Sequence, residues 1–205
     1  MPFAGEAFEE FVGAYLRYMP QYNGYMVNVR VDYKRDRQMQ QQVRGKPAKQ
    51  AYWSDIDVLA IKGDEAIIVS CDENCGKKLN QIIEEFSFAE QFVKQKYPYI
   101  NSIKKIYAFS MAWNPKPDKA KLQQLQNKHG VEILTFAKML RDFLDELRKR
   151  ERYGVTGGKF IEPILWTLRE IDMISVLSGQ SLLPSIEDIR KRLRIRKRNV
   201  IVEWP

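Results

Sequence analysis

Residues 52–78 read YWSDIDVLAIKGDEAIIVSCDENCGKK. Two apolar runs, 52–62 and 66–72, flank a Lys-Gly-Asp-Glu turn, which most simply makes a β-hairpin. The first run holds a carboxylate, Asp57, in its middle, and the second ends in a cluster of acids and cysteines. Residues two apart on a strand share a face. Strict alternation therefore puts Asp55, Asp57, Leu59 and Ile61 on one face of the first strand. It puts Ile68, Ser70 and Asp72 on one face of the second. If the register joins those faces, Asp57 stands beside Ser70 and Asp72 at a sheet edge. A carboxylate buried there is costly unless it is hydrogen-bonded or binds a cation. Two or three converging carboxylates favour a hard divalent ion. Such an ion can orient and deprotonate water and steady the charge on a phosphoryl group.

Outward from the hairpin, periodicity orders the chain. Residues 5–18 carry Phe8, Phe11, Val12, Tyr15 and Leu16 on one helical stripe, and 25–33 alternate as a strand. Residues 77–96 keep helical spacing through Leu79, Ile82, Ile83, Phe86, Ala89, Phe92 and Val93. A strand at 103–110, a helix at 117–128, a strand at 131–135 and a helix at 136–150 follow, with Gly130 where a helix stop belongs. The order α-β-β-β-α-β-α-β-α predicts an α/β fold, a central mixed β-sheet flanked by helices. Residues 34–50 are polar and basic with no apolar period, and read as a loop or hairpin tip. Lys46 and Lys49 in it would serve either as a clamp on backbone phosphates or as a solvated loop.

The composition shifts at 153–159, YGVTGGK, where three glycines fall within five residues. This predicts a Gly-rich hinge between a domain over 1–152 and a small, mainly helical C-terminal domain over 160–205. Ser185 is a helix cap there, with Glu187 and Asp188 in the first turn. Residues 190–198, RKRLRIRKR, hold seven basic residues in nine. Arg190, Lys191, Arg192, Arg194, Arg196, Lys197 and Arg198 are candidate phosphate ligands; a solvated or oligomer-facing segment is the alternative. The apolar close NVIVEWP is a candidate homodimer contact.

The totals bound the function. A chain of 205 residues with 44% hydrophobic residues can bury a real core. A net charge of +8 favours polyanion partners. No apolar run reaches the roughly 18–20 residues of a membrane span, and the acidic MPFAGEAFEEF start lacks the pattern of an export signal. The expected location is the cytoplasm, with no membrane partner. One histidine, His129, and two cysteines, Cys71 and Cys75, exclude His-based triads and a four-ligand zinc site. Hydrolytic chemistry would fall to carboxylates, lysine and a metal.

This arrangement resembles the restriction-endonuclease-like, or PD-(D/E)xK, superfamily. The carriers are a helix with Gly-x-x-Phe-Glu, a strand, a strand with an embedded Asp, a hairpin into a strand ending at a polar triplet, then helix and strand. The Mrr-type and archaeal Holliday-junction-resolvase-type branches are the most similar, over roughly residues 5–150. The resemblance implies a restriction-endonuclease-like core that binds duplex or branched DNA and hydrolyses phosphodiesters with Mg²⁺ or Mn²⁺. It matches the helix acid to Glu9 (Glu6 or Glu10 if the register differs) and the strand acid to Asp57. A C-terminal unit resembling a winged helix or helix-turn-helix would extend the DNA contact.

The chain departs from the family at the next element, an acid, any residue, then a lysine. The triplet here is Ser70-Cys71-Asp72. Two substitutions would restore the chemistry: Lys77 or Lys78 supplying the amine, or Asp72 or Glu73 replacing the acid as metal ligand. The expected reading is a metal-dependent endonuclease with an altered site. The alternative is a catalytically inactive nuclease-fold subunit that binds DNA or assembles with partners; a scaffold without nucleic acid is the third.

Overall fold

The structure is a computed structural model that describes residues 3–46, 50–73, 75–110 and 118–149. The chain divides into units at 1–151 and 152–205, and every described residue belongs to the first. The 153–159 hinge, the 160–205 domain, Lys49 and the basic residues Arg190, Lys191, Arg192, Arg194, Arg196, Lys197 and Arg198 lie outside the described residues.

Five strands form one mixed sheet in the order β1 (Met26–Arg35), β2 (Tyr52–Lys62), β3 (Glu65–Asp72), β4 (Ser102–Phe109), β5 (Val131–Thr135). The first three are antiparallel neighbours, and β3, β4 and β5 run parallel. The expected hairpin is β2–β3, closed by Lys62 opposite Glu65, with Gly63 at φ 58° in the turn. Parallel pairing needs crossovers, and α3 (Leu79–Lys96) and α4 (Lys119–His129) provide them. Every residue from Ala66 to Cys71 is buried, so β3 is covered on both faces.

α1 (Phe3–Tyr18) packs on β1, β2 and β3 and against α5 (Phe136–Lys149). Phe11 meets Phe136 at 4.7 Å and Phe143 at 5.5 Å between ring centroids, and Tyr15 meets Phe143 at 5.4 Å. Gly13 permits the close approach: a Cβ there would fall 2.5 Å from Val29 Cγ2. Glu9 lies one turn earlier on the same face of α1, so the contact at Gly13 also carries Glu9 toward the sheet. The other layer joins Met39, Ile82, Phe86, Ala89, Val93 and Leu125 to Leu59, Ala66, Ile68 and Tyr107. Among the described residues no helix is long and apolar enough to cross a membrane.

Two readings of the sequence need correction. Residues 34–50 are not simply a loop, because α2 spans Arg37–Arg44. Asp36 caps it, accepting from the Met39 N–H at 2.7 Å, and Gly45 ends it in the left-handed conformation. Met39 and Gln40 are buried, and the Gln40 amide donates to the Arg35 and Gln50 carbonyls, both at 2.8 Å. Buried Met39, half-buried Val43 and one satisfied amide stand in for the longer stripe that periodicity looks for. Lys46 follows the helix and is exposed. Asp36→Ala is expected to lower stability by about 1 kcal/mol, read as a shift of the denaturant midpoint; an unchanged midpoint contradicts the cap.

The second correction concerns β2. Ile56 and Leu59 join the same core cluster although they are three residues apart, so strict alternation fails between them. The register pairs Val29 with Val58 and Val31 with Ile56, and the step between them, Arg30 opposite Asp57, drops out of the ladder. Arg30 sits at φ 55°. A local break of this kind re-aims side chains, as bulges beside functional sites do. It falls on Asp57, the acid embedded in β2.

Candidate functional site

Asp57 is half-buried near the end of the β2–β3 pairing, one residue beyond the Val58–Val69 pair. Its Oδ2 accepts the Cys71 N–H at 2.5 Å and lies 3.9 Å from Lys77 Nζ. Burial pushes its pKa up from 3.8 to about 6, against the pull of Lys77 and of the Cys71 N–H. Lys77 Nζ also reaches Glu85 Oε2 at 2.9 Å and donates to Ser70 Oγ at 3.1 Å. The Ser70 hydroxyl donates to the same Glu85 oxygen at 2.9 Å. Burial works against the Lys77 charge, but Asp57 and Glu85 outweigh it and raise its pKa. Lys77 is therefore an ammonium at neutral pH. It can hold or steady an anion and cannot act as a base.

Glu9 approaches from α1. Burial, and next the charge of Asp57, lift its pKa from 4.5 to about 7; Arg30 opposes the shift. Arg30 Nε is 3.4 Å from Glu9 Oε2, yet that buried oxygen has no hydrogen bond. Glu6 and Glu10, the alternative helix acids, pair with Arg30 at 3.1 and 3.4 Å and stay exposed. The structure thus brings together Asp57 of β2 and Lys77 of the β3–α3 connection, and Glu9 of α1 lies near enough to sense the Asp57 charge.

The remaining candidates fall elsewhere. Asp72 Oδ2 accepts from Tyr107 Oη at 2.6 Å and from the Lys77 N–H at 2.7 Å, so it pins the connection that carries Lys77. Burial and the bond to Asp72 push the Tyr107 pKa up, which keeps it a donor. Glu73 has a buried Oε1 without a hydrogen bond, near Gly5 of α1, where a Cβ would lie 3.5 Å away. Lys78 is exposed at the start of α3, with its N–H donated to Gln81 Oε1 at 2.9 Å. Of the two adjacent lysines, only Lys77 lines the cleft.

A cavity of about 110 Å³ opens onto Asp57 and Lys77, while Glu9 is not among its lining residues. Ser54, Asp55, Asp57, Ser70, Glu85, Lys77 and Arg35 supply its polar lining. Three carboxylates face two cations there, so the cleft is acidic although the chain carries +8. An anion enters an acidic cleft more readily when a cation comes with it. Among the described residues no group of three or more His, Cys, Asp or Glu side chains is arranged to hold a metal. Two carboxylates nonetheless suit Mg²⁺, which keeps several waters and takes substrate oxygens as further ligands.

Sequence reasoning missed three contributors. Glu85 falls on the buried stripe of α3 between Ile82 and Ala89, and a charge at that position was a readable signal. Arg35 lines the cleft from the end of β1. Lys121 is buried in α4, where its ammonium donates to the Cys75 carbonyl at 2.6 Å and the Lys77 carbonyl at 2.9 Å. Together with Asp72 it holds the 75–77 segment in place, including Cys75 at φ 52°. Lys121→Met keeps the bulk and removes both bonds. We expect it to cost about 1–3 kcal/mol and to loosen Lys77, read as faster amide exchange at Lys77. Exchange as slow as in the parent chain contradicts the role.

Compared with family models, with curated proteins and with solved structures, the chain matches none.

Proposed function

We propose that the 1–151 unit is a restriction-endonuclease-like core that binds DNA and hydrolyses a phosphodiester bond with a divalent cation. The observation that carries this reading is Asp57 and the Lys77 ammonium, 3.9 Å apart in one cleft, with Glu9 of α1 near enough for the Asp57 charge to raise its pKa. Glu9 Oε2, which lacks a hydrogen bond although Arg30 pairs with it at 3.4 Å, and two carboxylates with raised pKa values suit a further cation. Glu9 and Asp57 would hold Mg²⁺ or Mn²⁺; when bound, the ion supplies charge to the phosphoryl oxygens and lowers the pKa of a bound water.

The chain's own residues do the rest. Lys77 places a fixed positive charge beside Asp57, where a phosphoryl oxygen or the attacking water would lie. Glu85 and Ser70 hold that ammonium in position. The amine comes from the β3–α3 connection rather than the strand, which accounts for the Ser70-Cys71-Asp72 triplet without a lysine. Asp72 is left to anchor the connection.

The test is incubation of duplex and branched DNA with Mg²⁺ or Mn²⁺, with EDTA and with Asp57→Ala. Cleavage that needs the metal and vanishes in the variant supports the reading. Binding without cleavage supports the inactive DNA-binding alternative. Cleavage unchanged by Asp57→Ala contradicts the site.

A further inference from the structure

Arg35 is nine-tenths buried at the end of β1 and yet lines the cleft. Its guanidinium carbon lies 4.3 Å from the centroid of the Phe88 ring, 5.5 Å from that of Tyr52 and 5.6 Å from that of Tyr33. Nε donates to Tyr33 Oη at 3.1 Å and Nη1 to Tyr52 Oη at 3.3 Å. Gln40 fixes the Arg35 carbonyl from α2. Among the described residues no carboxylate stands within ion-pairing distance of it. Arg44 makes the contrast: it shares Phe88 and the Tyr52 hydroxyl, but Glu84 neutralises it at 2.5 Å.

A buried cation without a counter-charge is costly. Aromatic faces and phenol hydroxyls return part of that cost and leave the charge uncancelled. A guanidinium has five N–H donors in a planar fork, and the two bonds to Tyr33 and Tyr52 leave others for a ligand. The rings fix the plane of the fork before any ligand arrives. A fork held without a directly paired carboxylate, in a cleft also lined by Asp55, Asp57 and Glu85, is suited to a phosphoryl group, which it can grip through two oxygens.

We propose that Arg35 is a phosphate receptor in this cleft, holding a backbone phosphate of the nucleic acid that flanks the one presented to Asp57 and Lys77. The proposal rests on reading the cleft as a nucleic-acid site, and it adds that grip on the substrate comes from an aromatic-caged arginine as well as from any cation. It also gives α2 a purpose, since Gln40 and Arg44 of that helix support the cage.

The experiment uses the full chain and a short labelled DNA duplex in EDTA, so that nothing is cleaved. Affinity is measured across a salt series for the parent, Arg35→Gln and Arg35→Lys. The expected result is about a tenfold or greater loss for Arg35→Gln, with the slope of log affinity against log salt smaller by about one. Arg35→Lys keeps the charge without the fork and should recover the slope but not the affinity.

Arg35 is buried, so its variants could lose structure, and a second series avoids that. The parent chain is given duplexes with one phosphate at a time replaced by a neutral methylphosphonate. Weakened binding from a linkage other than the scissile one, with no further loss at that linkage in Arg35→Gln, supports the receptor. A duplex bound with equal affinity and slope by folded parent and variants overturns it and leaves the nuclease reading standing. Absence of duplex binding in the parent, both in EDTA and with Ca²⁺ supplied in place of Mg²⁺, overturns both, and inorganic phosphate bound without duplex overturns the nucleic-acid source.

Discussion

Asp57→Asn is expected to reduce metal-dependent cleavage of DNA by at least about a hundredfold without unfolding the protein. The substitution keeps the shape of the side chain, and an amide oxygen can still accept the Cys71 N–H. It removes the negative charge that Lys77 faces at 3.9 Å and that Glu9 senses. Lys77 keeps Glu85 and Ser70, so the connection should stay in place. The Glu9 pKa should fall in the variant, because the second-largest cause of its rise is gone. Chemistry and structure therefore separate: circular dichroism and the melting temperature hold while turnover collapses. Retained turnover, or loss of turnover only through unfolding, contradicts the role given to Asp57.

Glu9→Gln is expected to move stability and activity in opposite directions. In the unfolded chain Glu9 ionises near its ordinary 4.5, and in the fold at about 7. Between those values the folded state holds more protons, so stability falls as pH rises. The favourable contribution is complete below about 4.5 and is lost as pH passes through about 7. Asp57, raised from 3.8 to about 6, adds to the same trend over a slightly lower window. A tenfold change in proton affinity between the two states corresponds to about 1.4 kcal/mol, and Gln is a neutral near-isostere. The variant should be more stable than the parent by on the order of 1–3 kcal/mol above neutral pH, and equal to it below pH 4.5, where Glu9 is protonated in both states. Activity should be lost throughout. A residue retained at a cost to stability is the pattern of a functional site. A destabilised Glu9→Gln at high pH, or a flat difference across the titration, contradicts that pattern.

Much of this was legible in residues 52–78. The turn signals and two apolar runs predict β2 and β3, and an acid inside a buried run singles out Asp57. The stripe from Phe8 to Leu16 predicts α1, and the resemblance names Glu9 as its acid, with Glu6 or Glu10 as alternatives. What escaped has physical reasons. Helix α2 rests on Asp36 and Gly45 at its ends and on Met39 and Gln40 inside, too little for a period to appear. The irregular step at Asp57 depends on Arg30 in a left-handed conformation, which no glycine announces. Lys77 and Lys78 are adjacent and chemically equal, and only the backbone held by Asp72 and Lys121 distinguishes them. Asp72 looked like a ligand because its type and position suited one, but Tyr107, remote in the chain, engages it.

The central claim is that Glu9 and Asp57 together hold a divalent cation. The most direct measurement is Mn²⁺ binding to the full chain, followed by the loss of the free-ion resonance, for the parent and for Asp57→Asn. The account predicts binding above pH 7 that weakens as pH falls through the range where these carboxylates take up protons, and that is abolished in the variant. Mn²⁺ held equally by parent and variant, or with no dependence on pH across that range, would contradict it.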